Sequence, residues 1–246
     1  MNNLFNLENP IYQALNKIID TVVLSLIYSL LVSPAVFMGY VVIDQGFYIF
    51  FVLLFVLAMA LVGPATTALY YAMVKVIRRE RGYALREYFR SFKVNFRQGA
   101  VIGMIFGFLM GLLYFDYKFV NESLAEEAST LNTIMLIGFN AVVILMVLIA
   151  TYIFPLLSRF SLPIKQFFKN ALFMSIRHLP STLLMILINA VGIFIIWWFF
   201  PLPFFFAVPS VCMLLDSLLM EKIFKRYMPE AEGDPEETGV DEWYRE

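Results

Sequence analysis

The stretch Tyr48-IFFVLLFVLAMALVGPATTALYYAMVKVIRRERGYALREYFRSFKVNF-Arg97 decides the fold. From Tyr48 to Val76 it carries a single charge, Lys75, and a run of that length crosses a hydrocarbon layer of about 30 Å at about 1.5 Å per residue. Cations then crowd in as far as Arg97, after which the chain turns apolar again. The pattern predicts a descending membrane span, a basic segment on the inner side and an ascending span.

Working outward, further apolar stretches fall at 21–43, 98–120, 132–157, 179–200 and 203–220, giving about six spans in an all-α polytopic transmembrane bundle. The last two stretches are divided only by the turn from Pro201 to Pro203, so a re-entrant pair would read almost the same way. Composition agrees: 61% of the 246 residues are apolar and 15% charged, against about 45 to 50% and about 25% in ordinary soluble domains. Every basic residue except Lys118 falls on one side of the predicted membrane. That asymmetry predicts that both termini are cytoplasmic. The net charge of −1 argues against nucleic acid as a partner, and a lone cysteine, Cys212, excludes a disulfide framework. The N-terminus reads as retained, without a signal peptide.

Two basic segments are expected to form amphipathic helices at the inner membrane surface. In the first, Leu85, Tyr88, Phe89, Phe92 and Phe96 recur at helical spacing among Arg86, Arg90, Lys93 and Arg97; in the second, Ile164, Phe167, Phe168, Ala171 and Leu172 are accompanied by Lys165, Lys169 and Arg177. Cations so placed would meet anionic membrane lipids. Leu85-Arg-Glu-Tyr-Phe-Arg-Ser91 matches Ile164-Lys-Gln-Phe-Phe-Lys-Asn170 in residue type, either as a parallel internal repeat or because basic interfacial helices converge on this pattern. The chain is expected to form one membrane domain over 1–228, followed by an acidic, disordered tail over 229–246.

Gly99, Gly103, Gly107 and Gly111 line one helix face and predict close helix packing, within the chain or between copies, the former favoured. Pro34 and Pro64 interrupt two spans, as kinks whose freed carbonyls Ser33, Thr66 or Thr67 would satisfy, or as hinges. Asp20 and Asp216 are read as interfacial ion-pair partners, or as a proton or cation relay. Asn140 and Asn189 are expected to bond between helices. No catalytic, cofactor or metal constellation is visible: His178 is the one histidine, and no phosphate-binding loop occurs.

Three segments carry a family resemblance. Phe5-Asn-Leu-Glu-Asn-Pro10, Gly63-Pro-Ala-Thr-Thr-Ala-Leu-Tyr-Tyr71 and Gly82-Tyr with Glu87-Tyr-Phe-Arg-Ser-Phe-Lys-Val-Asn-Phe-Arg97 resemble the YesL-like bacterial membrane proteins, a domain of unknown function (624), most specifically over residues 63–99. The resemblance implies a multi-span protein of the bacterial plasma membrane, from a family whose genes often lie beside those for carbohydrate uptake and glycan breakdown, and it transfers no catalytic residue. The expectation is therefore a non-enzymatic accessory or regulatory component of a carbohydrate uptake complex, the alternative a small gradient-driven transporter or channel.

Overall fold

A computed structural model describes residues 10–45, 49–78, 83–126, 130–198 and 203–227. They form seven helices: α1 (Pro10–Gln45), α2 (Ile49–Ala72), α3 (Ala84–Glu126), α4 (Thr130–Arg159), α5 (Ile164–Arg177), α6 (Leu179–Trp198) and α7 (Pro203–Phe224). α2 runs into a π-helical turn, Met73–Arg78. Arg81–Gly82, the expected tail at 229–246, and the N-terminal motif up to Asn9 lie outside the described residues.

Among the described residues, five segments are long and apolar enough to cross a membrane: Ala14–Asp44, Ile49–Val76, Ala84–Val120, Thr133–Arg159 and Leu179–Trp198. α7 is 22 residues long and carries Asp216, Glu221 and Lys222 in its second half.

The first basic segment does not form a helix of its own. It is the opening part of α3, which runs unbroken for 43 residues, about 65 Å at the usual helical rise and about twice the hydrocarbon thickness. Nothing between Arg97 and Gly99 stops a helix, whereas Pro163 and His178 bound α5 and keep the second basic segment separate. α1 and α2 likewise continue through Pro34 and Pro64. The Ser33 hydroxyl donates to the Leu30 carbonyl at 2.9 Å, the group that Pro34 deprives of its backbone donor. Thr66 and Thr67 donate instead to Val62 and Gly63, so neither serves the Ala60 carbonyl freed by Pro64.

The core gathers at the end of the bundle that carries the basic residues. Tyr70, Tyr71, Tyr152, Ile153, Phe167 and Phe224 are fully buried in one cluster, and Leu24, Leu69, Met73 and Tyr88 in an adjoining one. The glycine face of α3 lies against α2. A Cβ on Gly99 would come within 2.8 Å of the Pro64 nitrogen, one on Gly103 would strike the Met59 carbonyl oxygen, and one on Gly107 would come within 2.8 Å of the Met59 Cβ. Gly111 faces Val52. These contacts lie within one chain, and only glycine admits them.

Candidate functional site

The segment from Gly63 to Tyr71 organises the basic end of the molecule. Gly63 lets α3 approach, Tyr88 donates its hydroxyl to the Ala65 carbonyl at 3.3 Å, and the Tyr28 and Thr66 hydroxyls lie 3.5 Å apart. The two tyrosines that close the motif each reach a buried carboxylate. Tyr70 donates to Glu221 Oε1 at 3.1 Å, and the same carboxylate is held in a fork by Arg159, whose Nε and Nη2 lie 3.1 and 2.6 Å from its two oxygens. Tyr71 lies 3.5 Å from Glu87 Oε2, while Lys75 donates to the Tyr71 hydroxyl at 3.1 Å and pairs with Glu87 at 3.1 Å. Lys75 reaches both because it sits in the π-helical turn, one turn beyond Tyr71. Both ion pairs are buried, so their value lies in fixing which helices meet and in what register more than in net stability.

This arrangement turns the first section of α3. The buried residues of this section are Ala84, Glu87, Tyr88, Ser91 and Asn95, while Leu85, Phe89 and Phe96 of the apolar stripe lie exposed on the outside of the bundle. The reason is that Glu87 must meet Lys75 and Tyr88 must meet Ala65, which fixes the opposite face outward. Leu85, Arg86, Phe89, Arg90 and Lys93 consequently line an open groove of about 520 Å³. Arg97 is exposed further along the same helix. On α5, Phe167 and Ala171 are buried within the bundle, and Lys165, Lys169 and Arg177 are exposed. The Arg177 guanidinium sits 5.8 Å from the Phe173 ring and 5.6 Å from the Tyr227 ring.

The intramembrane candidates separate. Asp20 is half-exposed on α1. Asp216 is buried and takes its hydrogen bond from Asn189 on α6 at 2.6 Å, with no cation bonded to it among the described residues, so the expected ion pair at its position is not made. Asn189 thus bonds between helices, whereas Asn140 donates to Leu136 in its own helix. His178 joins the α5–α6 junction to the chain beyond α7 through Tyr227 at 3.0 Å. Its burial, and then the charges of Arg226 and Arg177, hold its pKa below the ordinary histidine value. Among the described residues no group of three or more His, Cys, Asp or Glu is placed to hold a metal.

Sequence reasoning missed the two carboxylate networks. The signal was present: Glu87 falls in register with Ala84, Tyr88 and Ser91, and a charge inside an inward-facing register announces a partner.

Comparison with known proteins agrees with the motifs. The family described as "Protein of unknown function, DUF624" matches residues 40–117. The chain is 28% identical over 145 residues to "Uncharacterized protein YteU" of Bacillus subtilis (strain 168), covering 58% of this chain and 63% of that protein. No solved structure gives a significant match. The matched residues 40–117 include the segments 63–71 and 82–97 that carry the YesL-like resemblance.

Proposed function

We propose that this chain is a non-enzymatic accessory or regulatory protein of the bacterial plasma membrane, which docks onto a carbohydrate uptake complex through its basic end. In this reading α7 is a sixth span, both termini are cytoplasmic, and anionic lipids meet the outward cations of α3 and α5. The observation that carries it is the outward face of the first section of α3, where Arg86, Arg90 and Lys93 alternate with exposed Leu85 and Phe89 around one groove. Such a mixed face suits a partner or a headgroup layer better than open water. The buried pair of Lys75 and Glu87 holds it rigidly, and preorganisation lowers the cost of docking. The carbohydrate connection comes from the YesL-like resemblance. Affinity purification of the tagged chain from native membranes, compared with a charge-reversed Arg86→Glu, Arg90→Glu, Lys93→Glu variant, tests it: transport components are expected with the first and absent with the second.

A second reading, a small gradient-driven transporter or channel, is favoured by the buried carboxylate of Asp216. It predicts solute or ion flux in proteoliposomes that falls in Asp216→Asn. Flux at background level for both proteins would remove it for the solutes tested.

A further inference from the structure

The last helix holds a carboxyl that the fold satisfies on one side only. Asp216 is 7% exposed. Its Oδ2 accepts from Asn189 Nδ2 at 2.6 Å, and the same amide donates to the Met185 carbonyl at 2.9 Å, which fixes the amide's orientation on α6. Its Oδ1 is sealed from solvent and meets no hydrogen-bond partner. The helices close tightly around the position: a Cβ on Gly192 would collide with Cys212 Sγ, which itself lies 3.7 Å from the Ile188 carbonyl.

Among the described residues no cation is bonded to Asp216. α6 contributes Asn189 to the site, and Cys212 lies one turn earlier on α7. Of the other elements against α7, α1 carries Lys17 and Asp20, α2 carries Tyr70 and Tyr71, and the π-helical turn carries Lys75. Tyr70 bonds Glu221, while Tyr71 and Lys75 serve Glu87. An ionised carboxylate buried without a cation costs several kcal/mol, so the site is complete only when the open oxygen holds a positive species. A divalent ion asks for about six or more oxygens, far more than one carboxylate and one amide supply. A proton asks for one oxygen.

We propose that Asp216 is a reversible proton-binding site between α6 and α7, with Asn189 as its positioning residue. Loss of the proton leaves the carboxylate one donor and favours any arrangement that opens the α6–α7 contact to water. Proton occupancy requires neither docking nor flux, so the site stands or falls apart from both functional readings.

The probe is dicyclohexylcarbodiimide, which modifies protonated carboxyls in apolar surroundings, applied to the full chain in proteoliposomes and mapped by mass spectrometry. Label is expected on Asp216, declining as the pH is raised from about 5 to about 9, and at least about tenfold lower at position 216 in Asp216→Asn. Asp216→Glu, which keeps the carboxyl, should retain it if the amide variant fails to fold. Asn189→Ala should shift the pH dependence of labelling, a readout that lost packing alone would leave unmoved. Absence of label on Asp216 at every pH would overturn the proposal. So would protection by sodium at constant pH, which would make the ligand a metal cation, and an unchanged pH profile in Asn189→Ala would remove that residue's role.

Discussion

Between α2 and α3 the two backbones touch. Gly63 faces Gly99, Gly103 faces the Met59 carbonyl, and no side chain fits between. α4 and α6 are as apolar as α2, yet Gly138 of α4 has nothing within 4 Å, and Ile137, Ile144, Leu183 and Ile193 are exposed. Hydropathy therefore says how many helices seek the membrane, while small residues say which of them close on each other. The closed pair carries the motif and the basic groove; the open pair joins the core at the basic end, through Tyr152, Leu156 and Met185.

The comparison breaks most visibly if the buried charges are removed. Glu221→Ala removes the buried carboxylate that Arg159 and Tyr70 share, and a loss of about 3 to 5 kcal/mol is expected in thermal or denaturant unfolding in detergent. A change near zero would mean that the network contributes nothing to closure. Next comes Gly103→Ala, which forces a methyl group into the Met59 carbonyl and should destabilise by about 1 to 3 kcal/mol despite alanine's better helix propensity. The matched change in the open pair, Gly138→Ala, should be neutral or stabilise by at most about 1 kcal/mol. Equal effects at the two glycines would erase the distinction between the pairs.

A smaller effect is expected for Tyr152→Phe, which removes the 3.0 Å contact with Thr182, at about 1 kcal/mol. The smallest is pH dependence at His178. Because the folded protein holds this side chain below its ordinary pKa of 6.5, the neutral form is favoured by folding, and the stability it contributes is present above that value and lost as the pH falls through it. The melting temperature should drop on acidification from about pH 7 to about pH 5, and His178→Gln should flatten that drop. An identical profile in the variant would place the acid sensitivity elsewhere.

Much of this was legible in the sequence. Long apolar runs and one-sided cations announce a helical membrane bundle, and the glycine face of α3 announces a close neighbour without naming α2. Periodicity shows the apolar stripe of Leu85, Phe89 and Phe96 but cannot see the buried ion pair that turns Glu87 inward on the same helix. Glu87 and Glu221 find their partners through tertiary contacts, Lys75 across the break between helices and Arg159 at a separation of 62 residues. The continuity of α3 depends on what is missing between Arg97 and Gly99, and an absent helix stop is a weaker signal than the prolines that bound the second basic segment.

In the proposed function, the rigid inner face of α3 presents the helix's basic outer face for docking. The most direct test measures stability and partner recovery in one preparation of the Arg86→Glu, Arg90→Glu, Lys93→Glu variant. These side chains point outward, so the melting temperature in detergent should match that of the unmodified chain while co-purifying transport components disappear. Recovery of the same components with the reversed charges, or of no transport component with the unmodified chain, would contradict it.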